Sequence, residues 1–375
     1  MTKFWKPLLA IALICALALA GLGLAAQSPA AAAQAKRADE FRAVWVTTVY
    51  RLDYPSQATT DPALLKRDAD AILQGCVDMG MNAVILQVRP SADALYPSEL
   101  YPWSKYLTGA QGTAPRNGFD PLAYWVERAH ALGLELHAWI NPFRITKGGA
   151  AEFQALTANH PAKHHPDWVV EYEGDYYFNP GLPEVREYIV RGAEELARKY
   201  DIDGIHLDDY FYPTTETAFD AAAFADAKAD DLGAFRLEQV NAMVQQIYST
   251  VKAASPAIQL SISPQGTMDG NYTKQYADVR RWGTETGYCD VLIPQLYYGF
   301  ANETAPFAEA LQTWTETVSS ESVSLVIGIG THKCGKEDTW AGSGSMEWCS
   351  EPTLPIRQAK LALETNGTDG VAVYD

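Results

Sequence analysis

The sequence predicts a (β/α)8 barrel of the TIM type, with the last helix either missing or lying beyond the end of the chain. Eight short apolar segments alternate with seven segments that have helical periodicity. Turns from helix to strand are short, whereas loops from strand to helix are long and rich in aromatic residues, histidine and proline. This alternation is typical of a parallel sheet whose strands are joined by helical crossovers.

The strand predictions rest on runs of β-branched and aromatic residues. Residues 82–88 are largely apolar, as expected for a strand of a parallel sheet that is covered on both faces. The predicted strands are residues 41–48, 82–88, 134–140, 203–208, 260–263, 290–297, 324–330 and 370–374.

The helix predictions rest on capping signals and helix stops. Asp61-Pro62 and Asp120-Pro121 each place a capping carboxylate before a proline that suits the first helical turn. Gly133 ends the second of these helices. Residues 141–181 are predicted as one long loop. The predicted helices are about residues 61–79, 120–132, 183–199, 234–252, 274–282, 307–318 and 354–364.

The acidic composition limits the classes of partner. The formal net charge is −17. Binding to a nucleic-acid backbone needs clustered Lys and Arg, so we expect no nucleic-acid partner. The same charge argues weakly against strongly anionic polymers as the preferred substrate.

The first residues are typical of a targeting segment. Lys3 and Lys6 precede an apolar run over residues 8–26, and the alanines at 31–33 form a plausible cleavage site. The alternative is an uncleaved membrane anchor, because the run is long enough to span a bilayer. We therefore expect a signal peptide at 1–33, a linker at 34–40 and a catalytic domain at 41–375. Either interpretation predicts an extracytoplasmic protein, secreted or in the cell envelope, with membrane contact only if the segment is uncleaved.

Four cysteines follow the targeting segment. Cys334 and Cys349 lie in one Gly-rich loop, and an exported chain could join them as a disulfide. Cys76 lies in a helical pattern and Cys289 directly before a strand, so both are predicted to be small buried residues.

The fourth predicted strand carries the strongest catalytic signal. Ile205 and Leu207 alternate with His206 and Asp208, so His206 and Asp208 share one face of the strand. Asp209 follows directly as the chain leaves the sheet. Cleavage of a glycosidic bond needs one carboxyl group that protonates the leaving oxygen and a second that stabilises positive charge at the anomeric carbon. Asp208 and Asp209 are therefore the predicted catalytic pair.

Polar and aromatic residues recur along the other strands and at their carboxyl ends, where active sites of this fold lie. Amides, Arg and aromatic rings suit sugar hydroxyls and ring faces. Each member alone could be a structural residue, but their convergence on one rim favours binding. The predicted substrate-binding residues are Trp45, Arg89, His137, Trp139, Asn141, Asp203, His206, Tyr210, Gln265, Gln295, Tyr297 and His332.

Six motifs are found at residues 41–46 (FRAVWV), 86–90 (LQVRP), 101–104 (YPWS), 137–142 (HAWINP), 178–181 (FNPG) and 203–213 (DGIHLDDYFYP). Together they resemble the bacterial glycosyl-hydrolase-like 10 family of exported proteins and lipoproteins. The resemblance spans about residues 41–375 and implies a barrel-shaped glycoside hydrolase of the cell envelope. One divisome-associated member is a peptidoglycan hydrolase that prefers glycan strands stripped of their peptides. The resemblance therefore implies, as a hypothesis, that peptidoglycan is also the substrate of this protein.

A weaker resemblance concerns mechanism. Residues 203–210 are similar to the strand-four signature of the family 18 chitinases, Asp-Gly-x-Asp-x-Asp-x-Glu. Asp203 and Asp208 match, but His206 replaces an Asp and Tyr210 stands in place of the acidic Glu. Other glycosidases that act on N-acetyl sugars use adjacent Asp residues, one to orient the acetamido group and the next to protonate the leaving oxygen.

The resulting hypothesis is a retaining or substrate-assisted glycosidase. Asp209 is the proposed general acid, and Asp208 is the nucleophile or the acetamido-orienting carboxylate. No dinucleotide fingerprint or phosphate-binding loop occurs, so no cofactor is expected. Two alternatives remain. A metal-dependent glycan deacetylase or hydrolase would use His206 and Asp208 as ligands, and a glycan-binding barrel without catalysis would keep only the aromatic residues.

Overall fold

The computed structural model describes residues 40–375. The predicted signal peptide and all but the last residue of the predicted linker lie outside the described residues. Within residues 40–375, no helix is both long and apolar enough to cross a membrane.

Eight parallel strands close into a barrel, which confirms the predicted fold class. Each strand pairs with its neighbours in chain order, and the first pairs with the last. The strands are β1 (Phe41–Val46), β2 (Ala83–Arg89), β3 (Glu135–Ile140), β4 (Gly204–Leu207), β5 (Gln259–Ile262), β6 (Val291–Leu292), β7 (Ser324–Gly330) and β8 (Gly370–Tyr374).

Seven helices join these strands on the outside of the barrel. They are α1 (Pro62–Asp78), α2 (Pro121–Ala131), α3 (Pro183–Lys199), α4 (Leu232–Ala254), α5 (Val279–Thr284), α6 (Phe307–Thr317) and α7 (Leu354–Glu364). The predicted caps are present: Asp61 accepts from the Ala63 N–H at 3.1 Å, and Asp120 accepts from the Ala123 N–H at 3.1 Å. These carboxylates bind otherwise unpaired N–H groups in the first turn of each helix.

Two elements differ most from their predicted bounds. β6 ends at Leu292 because Pro294 lacks the N–H group that would continue the ladder, although Gln295 still bridges to both neighbouring strands. α5 begins at Val279 because the chain before it forms a π-turn over Asn271–Gln275. Tyr276 has a φ of 53°, which no regular helix can include.

The loop after β3 is not the structureless segment that the sequence predicts. It contains a three-stranded antiparallel sheet in which Asp175–Phe178 pairs with both Arg144–Thr146 and Val169–Tyr172. Glu173 and Gly174 connect two of these strands, and both have positive φ, as two-residue hairpin turns require. This added sheet supports the backbone at Arg144.

The barrel interior is filled by side chains. Its apolar cluster contains Ala43, Trp45, Ala83, Ile85, Trp139, Val291, Ile293, Val326 and Ala372. A larger apolar cluster lies between the strands and the surrounding helices. The barrel is therefore a packed core, and access is limited to its ends.

The cysteines differ in environment. Cys76 and Cys289 are buried, as predicted, whereas Cys334 and Cys349 are exposed free thiols. The disulfide that their positions suggested is not formed. The Gly335 N–H donates to the Trp348 carbonyl at 2.9 Å, so the backbone itself closes this loop next to the two cysteines.

Candidate active site

β4 delivers the two predicted catalytic carboxylates to the C-terminal end of the barrel. All four residues of β4 are buried, and Asp208 and Asp209 follow the strand directly. Asp208 is 3% exposed and Asp209 is 8% exposed. The pair is thus largely withdrawn from water, and side chains from neighbouring strands surround it.

Asp208 is held by donors from β3 and the residue after it. The Trp139 Nε1–H donates to Asp208 Oδ2 at 3.3 Å, and the Asn141 amide nitrogen donates to the same oxygen. The Gln87 amide nitrogen in turn donates to Asn141 Oδ1 at 2.6 Å. Gln87 Oε1 accepts from the Thr48 N–H at 3.0 Å. A continuous hydrogen-bond chain therefore runs from the end of β1 to Asp208.

Asp209 is held from the other side of β4. The Gln295 amide nitrogen, just beyond β6, donates to Asp209 Oδ1 at 3.2 Å and to the Ser263 carbonyl at 3.0 Å. The side chain of Gln265, which follows β5, lies near enough to lower the pKa of Asp209. The two carboxylates are thus positioned by different sets of amides.

The environment raises the pKa of both carboxyls. Burial, and secondly the neighbouring charge of Asp209, raise the pKa of Asp208 to about 7. Burial also raises the pKa of Asp209, while the amides of Gln295 and Gln265 oppose that rise. Arg144 lowers both pKa values by its positive charge. Close like charges that cannot both ionise freely hold one proton between them near neutral pH, as general acid catalysis requires.

His206 lies inside the barrel next to Trp45 and Trp139 and is fully buried. The Trp45 Nε1–H donates to His206 Nε2 at 3.1 Å, and His206 Nδ1 lies 2.8 Å from Ser261 Oγ. Burial holds the pKa of His206 well below its usual range, so the imidazole is neutral. It carries the Nδ1 proton toward Ser261, because Nε2 accepts from the indole.

Aromatic residues form the wall above the pair. Tyr210 is 47% exposed, directly after Asp209. Tyr297 stacks on Tyr374 with ring centroids 5.9 Å apart, and His332 packs against both rings edge-on. Rings of this kind can pack against the faces of a sugar. The structure therefore brings Tyr297 and His332 together at the mouth as one cluster.

Three predicted site residues lie elsewhere. His137 is fully buried in the first half of β3, where its Nε2 lies 3.1 Å from Glu135 Oε2. Asp203 precedes β4, and its carboxylate accepts from the Leu136 N–H at 2.7 Å. Both therefore lie toward the N-terminal end of the barrel, away from the mouth. The structure therefore does not bring these two residues together with Asp208 and Asp209.

Arg89 is the third. The pairing of β2 with β3 shifts register between Gln87 and Arg89, and this irregularity turns Arg89 out of the barrel. Its guanidinium lies 4.9 Å from the Tyr101 ring and donates to the Pro142 carbonyl at 3.2 Å, and the side chain is buried. Gln87 holds the inward position instead.

Gln87 and Arg144 also stand at strand ends in the sequence, but the predicted substrate-binding residues do not include them. The signal for Gln87 is strand alternation: residues two apart lie on the same face, so Gln87 shares the inward face with Ala83 and Ile85. Arg144 follows the third strand in the sequence, but its position depends on the antiparallel sheet in the loop after β3.

The donor set gives no support to the metal-dependent alternative. Among residues 40–375, no group of three or more His, Cys, Asp or Glu side chains is arranged to hold a metal ion. Both ring nitrogens of His206 already face Trp45, Ser261 and Ser263.

Comparison with known proteins decides the family. The family model described as glycosyl hydrolase-like 10 matches residues 40–341. The chain belongs to this family. It is a glycoside hydrolase, and its substrate is a carbohydrate.

Two curated relatives are named as glycosyl hydrolases. The glycosyl hydrolase YngK of Bacillus subtilis is 39% identical over 350 residues, covering 88% of this chain and 68% of the relative. The glycosyl hydrolase DigH of Escherichia coli K12 is 30% identical over 345 residues, covering 81% of this chain and 77% of the relative.

Solved structures show the same fold at low sequence identity. An α-L-fucosidase isoenzyme 2 from Paenibacillus thiaminolyticus is 16% identical with a TM-score of 0.52, covering 90% of this chain and 46% of that one. An α-amylase from Lactobacillus plantarum is 13% identical with a TM-score of 0.51, covering 92% and 72% respectively. Both likenesses concern the barrel alone.

Proposed function

We propose that this glycoside hydrolase cleaves bonds between amino sugars of peptidoglycan glycan strands outside the cytoplasm, with peptide-stripped strands as the preferred form. The observation that carries the proposal is the buried pair Asp208 and Asp209 at the carboxyl end of β4, where burial and mutual repulsion favour one shared proton. The family resemblance supports peptidoglycan as the polymer.

In the proposed reaction, Asp209 protonates the glycosidic oxygen as the bond to the anomeric carbon breaks. Asp208 either attacks that carbon or orients the acetamido group so that its carbonyl oxygen attacks. In the free protein, burial and the neighbouring charge of Asp209 raise the pKa of Asp208 to about 7, so Asp208 can hold the proton. A donor such as an acetamido N–H at Asp208 would stabilise its carboxylate form and shift the proton to Asp209. Substrate binding would thus leave Asp209 protonated, as a general acid must be.

The remaining residues have supporting roles in this proposal. Asn141 and Trp139 fix the orientation of Asp208, and Gln295 fixes that of Asp209. Tyr210 and Tyr297 offer ring faces to the sugar. Water would complete the cycle by attacking the intermediate, with Asp209 accepting its proton.

The test is mass spectrometry of products released from intact and from peptide-stripped peptidoglycan. We expect new reducing ends, faster release from stripped strands, and no release by Asp209→Asn. Binding to strands without any release of reducing ends would identify the non-catalytic glycan-binding barrel instead. Release of acetate alone would identify a deacetylase. The anomeric configuration of the first product would report whether cleavage is retaining.

A further inference from the structure

Arg144 is a buried cation at the edge of the catalytic pair. It is 7% exposed, and it begins the short strand Arg144–Thr146 of the added sheet. Its backbone pairs with Tyr177, so its position is fixed by the sheet. The guanidinium carbon lies 4.4 Å from the centroid of the Tyr210 ring, which is itself exposed at the mouth.

The guanidinium makes no hydrogen bond and no ion pair with any other residue in the described part of the chain, 40–375. The contrast with Arg236 is informative. Arg236 is fully buried, but Asp220 pairs with it at 2.6 Å, and Tyr276 and two backbone carbonyls accept from it. The fold thus supplies hydrogen-bond acceptors for Arg236 and leaves the donors of Arg144 without one among the described residues.

A largely buried guanidinium without a protein acceptor is unfavourable, because its N–H donors lose most of their water and gain no hydrogen bond in return. Stacking on Tyr210 offsets only part of this cost. Asp208 and Asp209 experience the charge of Arg144, yet neither lies within the 4.0 Å that defines an ion pair. The donors of Arg144 therefore remain unpaired near the reacting carboxylates, where an acceptor that comes with the substrate could bind them.

We propose that Arg144 binds a carboxylate carried by the substrate sugar next to the bond that is cleaved. The inference rests on the proposed function, and in peptidoglycan the group with this chemistry is the free lactyl carboxylate of the muramic acid unit. A planar carboxylate matches the fork of the guanidinium in bidentate geometry. A peptide on the lactyl group converts this anion to an amide. Recognition by Arg144 is thus a physical origin for a preference for peptide-stripped strands.

The net charge of −17 does not oppose this assignment. Charges on the outer surface are screened beyond about 10 Å at ordinary ionic strength, whereas a contact made inside the mouth is screened much less. The general repulsion of an anionic polymer and the local attraction by Arg144 therefore act at different distances.

The test compares two substrates and four proteins. One substrate is peptide-free glycan with free lactyl carboxylates, and the other is the same glycan after carbodiimide coupling of those carboxylates to ammonia. The proteins are wild type, Arg144→Gln, Arg144→Lys and, as a matched control, Arg198→Gln. Arg198 is an exposed residue of α3 whose partner is Glu194. Circular dichroism and thermal melting establish that each variant folds.

We expect amidation to lower kcat/KM of the wild type and of Arg198→Gln by roughly 10- to 100-fold. Arg144→Gln should lose a similar factor on the free-carboxylate glycan and lose nothing more on amidation. Arg144→Lys should keep an intermediate discrimination, because it retains the charge without the planar fork. An equal loss of kcat/KM by Arg144→Gln on both substrates would overturn the assignment. A wild-type kcat/KM that does not change on amidation would also overturn it. Cleavage of neither substrate by the wild type would overturn the proposed function and the role of Arg144 with it.

Discussion

At the scale of single residues, the catalytic proposal depends on two adjacent carboxyls that differ in what holds them. Asp208 accepts from Trp139 and Asn141, whereas Asp209 accepts from Gln295. Different partners give two chemically identical groups different affinities for a proton, and this difference is what separates an acid from an anion.

Asp208→Asn and Asp209→Asn should each reduce kcat/KM by on the order of 10³-fold. Each substitution preserves the shape of the side chain and removes its ability to give or take a proton. The measurement is the release of reducing ends from peptide-free glycan. Rates within a fewfold of wild type for both variants, with correct folding, would contradict the assignment.

Asp208→Asn should also stabilise the folded protein above neutral pH. The pKa of Asp208 rises from 3.8 to about 7 on folding, so the folded state binds the proton more tightly than the unfolded state does. The stability of the wild type therefore falls as pH rises from about 4 to about 7, and the amide escapes this loss. Thermal melting at pH 4 and at pH 8 measures the effect.

The expected result is a higher Tm for Asp208→Asn at pH 8 and little difference at pH 4. Asp269→Asn is the control, because Asp269 is exposed and its substitution should leave the pH dependence of Tm unchanged. An equal shift at both pH values would contradict the explanation, since it would indicate a change in packing and not in ionisation.

At the scale of elements, the site is assembled where β1, β2, β3 and β4 end next to one another. The chain from the Thr48 N–H through Gln87 and Asn141 to Asp208 crosses four consecutive strands. Strand pairing sets the spacing of these side chains, so the network is a property of the sheet.

Gln87→Ala should lower kcat by roughly 10- to 100-fold with little change in KM, because Asn141 loses its partner and Asp208 loses its fixed orientation. Steady-state kinetics on peptide-free glycan measures kcat and KM separately. Gln245→Ala is the matched control, since Gln245 is exposed on α4. A change confined to KM would indicate that Gln87 binds the sugar directly.

At the scale of the whole molecule, closure of the barrel depends on a close approach at Gly370. This residue begins β8 and pairs with both Phe41 and Val326. A Cβ at this position would lie 1.9 Å from the Phe41 carbonyl oxygen. The first and last strands can therefore meet only where residue 370 has no side chain.

Gly370→Ala should destabilise the protein strongly, because the clash is with backbone that cannot move without opening the barrel. Gly75→Ala is the opposite control. Gly75 lies within α1, and nothing lies within 4 Å of the added Cβ, so alanine should stabilise by roughly 0.5–1 kcal/mol. Urea unfolding measures both variants. Similar stability of the two would contradict the closure argument.

Much of this organisation was predictable because it depends on local pattern. Strand and helix alternation, the caps at Asp61 and Asp120, and the placement of the Asp pair after β4 all follow from residue types at short spacing. It was less predictable which residues lie at the mouth of the barrel. Trp45, Trp139, Asn141, His206, Gln265, Gln295, Tyr210, Tyr297 and His332 lie at or directly beneath the mouth, whereas His137, Asp203 and Arg89 do not.

The sequence by itself determined the barrel, its polarity and the strand that carries two acids, because these features depend on the periodicity and order of residues along the chain. Only the tertiary structure decided that Gln87 and not Arg89 faces inward, since a one-residue irregularity in strand pairing exchanges the two faces of β2. It also decided that Arg144 stands unpaired beside the acids, because the sheet that holds this residue forms from segments about thirty residues apart.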